Sequence, residues 1–260
     1  MSIALQVALV MVTILVVLLV IGAPIGVAIG MSSAVSMICM IPADVSFATS
    51  AQRIFAGSNS FSLIAIPFFI LAGNIMNNGG IATRLVNCAK VISGRMPGAL
   101  AQSNVVANML FGAISGSGAA AAAAMGGTIG PLEEKEGYDK NYSTAVNVAS
   151  APVGMLIPPS NTMIVYSSVA GSVSIAALFM AGYIPGLLWG GAVMILAGIM
   201  AKKRGYQAEQ RIPVKVALKT FWQAIPSLLL IVIVIGGILG GIFTATEGSA
   251  IAVVYATVSV

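Results

Sequence analysis

The stretch GAISGSGAAAAAAMGG, residues 112–127, decides how the rest of the chain is read. It has no charge and no aromatic ring, and most of its side chains are too small to fill a core. It nevertheless lies among long apolar runs, where a spanning helix is due. Backbone N–H and C=O groups left outside a helix at membrane depth survive only where protein buries them or a cavity receives them. The stretch is therefore either a small-residue packing face of a continuous helix or the tip of a hairpin that enters the bilayer and turns back. Gly116, Gly118 and Ala121 also fit a loose Gly-x-Gly-x-x-Gly/Ala dinucleotide pattern. That pattern needs a strand–helix unit in a soluble sheet, and none surrounds it.

Composition sets the class. The 260 residues are 58% hydrophobic and 7% charged, against roughly 25% charged in an ordinary soluble domain. This is the composition of an integral membrane protein. Histidine is absent, which removes His-based relays, most zinc sites and Ser-His catalysis. A net charge of +5 does not indicate nucleic acid, because the basic residues fall in short loops between apolar runs, where they orient a membrane protein. Of seven acidic residues, only Glu247 reads as close to a membrane segment. Cys39 and Cys88 read as free thiols behaving as small hydrophobes, on different sides of the topology below.

Ile3–Gly22 is an apolar run long enough to cross about 30 Å of hydrocarbon. Without a basic n-region or a small-residue cleavage site it reads as a retained helix. Further spans are expected at about 24–40 and 61–76, the latter with Pro67 in its middle. Between them, Ile41–Ser60 reads as an amphipathic arm carrying Arg53. Residues 81–92 read as a short interfacial helix. The opening stretch belongs to a segment of about 96–131, followed by a polar turn, LEEKEGYDK. A helix over about 142–170 is interrupted at PPSN, and a span follows at about 175–200. Residues 201–223 read as an aqueous loop. Ala224–Phe243 spans again, TATEGSA breaks it, and a last apolar run begins at Ile251.

The charges choose between the two readings of the opening stretch. With the N-terminus outside and residues 96–131 entering and leaving on one side, eleven of the twelve basic residues are cytoplasmic. These are Arg84, Lys90, Arg95, Lys135, Lys140, Lys202, Lys203, Arg204, Arg211, Lys215 and Lys219; only Arg53 is outside. This is the bias that the positive-inside rule expects. A single crossing would put Arg84, Lys90 and Arg95 opposite all the later basic residues. A re-entrant hairpin with Ser115, Gly116, Ser117 and Gly118 at its tip follows, and Ala119–Ala124 make a slim second half.

A broken helix at the midplane is the usual pointer to a transporter's binding site. The half-helix starting after the tip offers N–H groups and a positive dipole end to a carboxylate. The carbonyls that end the first half suit Na⁺. At the second break, Pro158 and Pro159 stop one helix and are suited to the start of another. Ser160, Asn161 and Thr162 add side-chain oxygens there; a proline kink with polar caps is the structural alternative. Asn147, Thr246 and Glu247 are weaker candidates. Glu247 is read either as a functional intramembrane acid or as a residue capping a helix start.

IPFFILAGNIM, GAISGSGAAA, GYDKNYSTAVNVASAPVGMLIPPSN and GIFTATEGSA, in that order, resemble the large membrane subunit of the tripartite ATP-independent periplasmic (TRAP) transporters. The resemblance covers nearly the whole chain. It implies an all-α polytopic membrane protein, an inverted-repeat elevator-type transporter with a re-entrant helical hairpin and a broken helix in each repeat. It implies a non-enzymatic permease of a bacterial or archaeal inner membrane that imports organic acids such as C4-dicarboxylates, sialic acids or sugar acids. No cofactor is implied beyond Na⁺ as coupling ion, whose ligands would include Ser115, Gly116, Ser160 and Asn161. The implied partners are a small membrane subunit and a soluble extracytoplasmic binding protein, besides the lipid bilayer; no nucleic acid is involved. Residues 1–223 would form the first repeat and 224–260 the start of the second. The family's members are longer, and Val260 falls about ten residues into an apolar run where a span needs roughly 20. The sequence is therefore expected to be a C-terminally truncated fragment, its first repeat complete and its second only begun. The alternatives are an anion carrier that works without a binding protein, a scaffold or channel subunit, and an intramembrane enzyme. The last lacks an obvious acid–base set.

Overall fold

The computed structural model describes residues 3–171, 173–206 and 213–259. Arg211 and Val260 lie outside the described residues. All regular elements described are helical, and the chain forms two compact units, residues 1–60 and 61–260.

In the first unit, α1 (Ile3–Val20) has 18 residues, about 27 Å of helix, and none of its side chains is buried. A turn and Pro24 separate it from α2 (Ile25–Ile38). Pro42 precedes α3 (Ala43–Ser58), whose Asp44 lies in the first turn, where an acid complements the helix dipole. The buried Ser46 hydroxyl donates to Ala34 O of α2 at 2.7 Å. Phe47, Ile54 and Phe55 of α3 are exposed, as is Arg53.

The second unit opens with a 3-10 turn, Phe61–Ile64, and α4 (Ala65–Asn78). Pro67 falls in the first turn of α4 and not in the middle of a span. Its missing N–H is there one of the donors that has no helical partner in any case. Next come α5 (Ile81–Ser93) and the hairpin, α6 (Ala99–Ser115) and α7 (Gly118–Thr128). The expected polar turn instead begins with a short helix, α8 (Gly130–Lys135), and α8 buries Glu133. The broken helix has three pieces: α9 (Lys140–Ser150), α10 (Val153–Leu156) and α11 (Asn161–Ala170). Its two halves are bent by 48° about residues 157–160. The chain continues through α12 (Ile175–Lys203), α13 (Val214–Leu239) and α14 (Ala245–Ser259).

Two expected boundaries move. The helix expected from Ala224 begins ten residues earlier, at Val214, behind Pro213, which shortens the aqueous loop. Apolarity alone misses such a start, because the first turns of α13 carry Lys215 and Lys219. TATEGSA does not break a helix but starts one. The interruption lies at Gly240–Phe243, and Thr244 caps α14. Among the described residues, α1, α12 and α13 are each long and apolar enough to cross a membrane.

The hairpin is held at the centre of the second unit. Fifteen of the seventeen residues of α6 are buried, so α6 is a strut surrounded by other helices. Its neighbours contribute Phe69, Leu85, Met125, Ile164, Phe179 and Leu230 to one continuous apolar core. Gly112 of α6 and Gly154 of α10 bring their backbones into direct contact, and a Cβ on either would collide with the other. Polar ties fix the register. Ser93 and Ser103 hydroxyls pair at 3.0 Å, Gln102 Nε2 donates to Met194 O at 2.8 Å, and Tyr142 OH donates to Ala197 O at 2.8 Å.

Candidate substrate and ion site

Both interruptions are built by the same local chemistry. α6 ends on Gly116, whose φ of 62° is left-handed, a conformation glycine adopts without a Cβ penalty. Ser117 then turns extended, at φ −134° and ψ 117°, and its hydroxyl accepts from Ala120 N at 3.3 Å as the N-cap of α7. At the second break, Ser160 adopts nearly the same backbone, φ −128° and ψ 120°, and caps α11 by accepting from Met163 N at 3.4 Å. The Ser160 hydroxyl also donates back to Met155 O at 2.5 Å, bridging the two halves. Serine at an N-cap satisfies one of the N–H groups that a helix start leaves unpaired.

The two breaks meet. Asn161 N donates to Gly116 O at 3.3 Å, and Asn161 Nδ2 donates to Ser115 O at 3.4 Å. A Cβ at Gly116 would stand 3.0 Å from Pro159 O and 3.1 Å from Asn161 N. Gly118 is equally confined, 3.0 Å from Ala151 O by the same measure. Asn161 Oδ1 is buried and accepts no hydrogen bond. The ends of α6 and α10 and the starts of α7 and α11 thus converge, with carbonyl oxygens and one unused carboxamide oxygen between them. Hard monovalent cations favour such neutral oxygens, and helix N-termini favour carboxylates.

The structure therefore brings Ser115, Gly116, Ser117 and Gly118 together with Pro159, Ser160 and Asn161. Pro158 is buried within the same break, whereas the Thr162 side chain is exposed. Asn147 lies lower, on α9, donating to Ala122 O of α7 at 2.9 Å. Thr246 donates to Phe61 O at 3.1 Å. Glu247 Oε2 accepts from Thr244 N at 2.7 Å while Glu247 N donates to Thr244 Oγ1 at 3.3 Å, the reciprocal pattern of a capping box. Neither Thr246 nor Glu247 makes a described hydrogen bond to the hairpin or the broken helix.

Beside the tip lies a cleft of about 350 Å³ lined by Ser115, Ser117 and Ala120, and by Gly73, Asn74 and Asn77 of α4. The two α4 asparagines were not among the candidates. Their signal is a pair of carboxamides at i and i+3 near the end of a largely apolar helix, which also ends on Asn78, next to the glycine that lets α4 approach Ser115; a Cβ at Gly73 would stand 3.2 Å from Ser115 Cβ.

A second cavity, of about 360 Å³, lies at the opposite end of the hairpin. Asn104, Glu133, Ser143 and Asn147 line it with Lys140 and Glu134. Glu133 is 1% exposed, and burial pushes its carboxyl up to about 7. Ser143 acts in the opposite direction, although its hydroxyl closes no hydrogen bond. At the edge of this end, Arg204 pairs with Asp139 at 3.0 Å, and Tyr206 OH accepts from Asp139 N at 2.8 Å. The Tyr142 N–H first, and Arg204 next, hold the Asp139 carboxyl below its ordinary value.

The helices define an all-α polytopic membrane protein, and the candidate residues lie on a helical hairpin and a broken helix. A family model for the tripartite ATP-independent periplasmic transporter, DctM component, matches residues 12–259, and the chain belongs to that family. This is a family of transporter permeases and not of enzymes. The chain is 55% identical over 224 residues to the uncharacterized protein YgiK of Salmonella typhimurium, covering 86% of this chain and 52% of that protein. It is 38% identical over 221 residues to the C4-dicarboxylate TRAP transporter large permease protein DctM of Rhodobacter capsulatus, covering 80% and 50%. It is 40% identical over 211 residues to the sialic acid TRAP transporter large permease protein SiaM of Vibrio cholerae, covering 80% and 48%. The chain spans about half the length of these relatives.

Proposed function

We propose that the chain is the large permease subunit of a Na⁺-coupled importer of organic acids, with Na⁺ and the substrate carboxylate held where the hairpin tip meets the broken helix. The observation that supports this most is the contact of Asn161 with the Ser115 and Gly116 carbonyls. It joins two helix C-terminal ends, suited to a cation, with two helix N-terminal ends, suited to an anion. The tip itself carries no ionisable side chain, so it would attract both charges by backbone dipoles and the Asn161 carboxamide.

In this reading the hairpin is re-entrant, and residues 1–223 form the first inverted repeat with 224–260 opening the second. The subunit lies in the cytoplasmic or inner membrane with its N-terminus outside. It works with a small membrane subunit and an extracytoplasmic binding protein that delivers the acid. The names of two relatives, a C4-dicarboxylate and a sialic acid permease, support this substrate class.

Proteoliposomes containing the complete transporter test this with radiolabelled succinate and sialic acid. Uptake should require both an inward Na⁺ gradient and the purified binding protein. Uptake independent of Na⁺ would overturn the coupling, and uptake independent of the binding protein would favour a self-sufficient carrier. The topology has its own test. In a cysteine-free background, Arg95→Cys and Glu134→Cys should react with an impermeant maleimide from the same side. Reaction from opposite sides would rule out a re-entrant hairpin.

A further inference from the structure

The base of the hairpin carries chemistry that the tip reading leaves unused. Glu133 sits on α8 with its carboxyl buried, and Glu133 Oε1 has no hydrogen-bond partner. Ser143 Oγ, on α9, is buried and unpartnered as well, and so is Asn104 Nδ2 on α6. All three residues line one cavity. A buried carboxylate oxygen without a partner is costly, and native folds pair nearly all buried polar atoms. Three orphans around one cavity therefore mark a place for a ligand.

We propose that this cavity is a second monovalent-cation site, distinct from the tip, in which the Glu133 carboxylate and the Ser143 hydroxyl coordinate one Na⁺ ion. The charge balance selects the valence. A single carboxylate neutralises one positive charge, whereas a divalent ion would leave a net charge in a low-dielectric site. Lys140 is exposed at the rim, and Asp139 is already engaged by Arg204. Glu134 is exposed at the rim as well, where its charge offsets that of Lys140. The buried neighbours are neutral: Asn104 Nδ2 is an unpaired donor of the same lining, and Asn108 donates to Asn147 and Ser150 at 2.8 to 2.9 Å. The cavity of about 360 Å³ is roomy against the share of about 30 Å³ that one water takes, so the ion keeps part of its hydration shell.

The site lies one hairpin arm from the tip, since α7 has 11 residues and rises about 16 Å. A proton competes with the ion for the same carboxylate. The groups facing Glu133 that carry charge or titrate are Glu134, Tyr138, Lys140 and Tyr142, all on α8, α9 or the turn between them. α6 and α7, which also pack against α8, carry none. Ion occupancy should therefore rise with pH through the range in which Glu133 ionises.

The test is ²²Na⁺ binding to the purified chain in lipid nanodiscs, with an Asn161→Ala substitution to weaken the tip site. In that background Na⁺ binding should persist and should rise about tenfold from pH 6 to pH 8, as expected of a carboxylate titrating near 7. Adding Glu133→Gln should abolish the pH-dependent component, and adding Ser143→Ala instead should weaken affinity at least threefold. Folding of each variant is checked by monodispersity in size exclusion. If Glu133→Gln does not fold, Ser143→Ala decides. Loss of all Na⁺ binding in Asn161→Ala, pH-independent binding there, or unaltered binding in a folded Glu133→Gln or Ser143→Ala variant would overturn the second site. The tip reading is tested separately, by Na⁺-dependent uptake.

Discussion

As proposed ion sites, the two ends of the hairpin differ in kind. The tip offers neutral groups: two helix-end carbonyls, a carboxamide and the ends of four helices. The base uses a buried carboxyl inside a layer of asparagine and serine. A site made of backbone dipoles is insensitive to pH and depends on backbone geometry. A site made of a carboxyl tolerates geometric change but follows pH. Substitutions and pH should therefore separate the two ends cleanly.

The largest effect is expected at Gly116. Valine there must leave the left-handed region and push its Cβ against Pro159 O and Asn161 N. Na⁺-dependent uptake by a complete transporter should fall by more than a hundredfold, at a cost of about 3 kcal/mol or more. Gly191→Val in α12, where nothing lies within 4 Å of an added Cβ, serves as control and should change uptake less than twofold. Equal losses at both positions would reduce the tip to a packing face. Asn161→Ala comes next. It removes the bond to Ser115 O and the free carboxamide oxygen, and should raise the Na⁺ concentration for half-maximal uptake about tenfold with membrane insertion intact. An unaltered Na⁺ dependence would reduce the break to a kink.

At the base, the expectation concerns stability and pH. The Glu133 carboxyl is raised from 4.5 to about 7 in the fold, so the folded state disfavours its ionised form. The stability present below pH 4.5 is lost progressively as pH rises to 7, and the loss levels off above 7, at about 3 kcal/mol in total. In Na⁺-free buffer, thermal unfolding in detergent should occur several degrees lower at pH 8 than at pH 5. Glu133→Gln should remove that difference. A pH slope that survives in the variant would place the titrating group elsewhere. The smallest effect is expected at Thr162, whose side chain is exposed beside the break. Thr162→Ala should shift the Na⁺ requirement less than twofold, and a shift as large as that of Asn161→Ala would show that Thr162 turns inward to the ion.

Features encoded within a single turn are legible in the sequence. SGSG and PPSN each contain a helix stop and a serine N-cap within four residues, so both breaks are visible without a fold. The long apolar helices at Ile3–Val20 and Ile175–Lys203 follow from apolar length alone, whereas the span expected at 24–40 is a shorter apolar helix of 14 residues. Glu133 was not legible, because LEEKEGYDK has the composition of a solvated turn; only packing against α9 and α6 takes one of its acids inside. The reading of Glu247 left two roles open, and a Thr-x-x-Glu pattern is satisfied by its own backbone wherever a helix begins.

The sequence by itself determined the membrane class, the family and the two breaks at SGSG and PPSN, because these depend on composition and on contacts within one turn. Tertiary structure alone decided that the two breaks face each other, that Asn74 and Asn77 border the tip cleft, and that Glu133 is buried. Each of these depends on helices far apart in the chain approaching closely, as at Gly112 and Gly154. Such approaches are set by the summed packing of many side chains, and no local stretch of sequence encodes that sum.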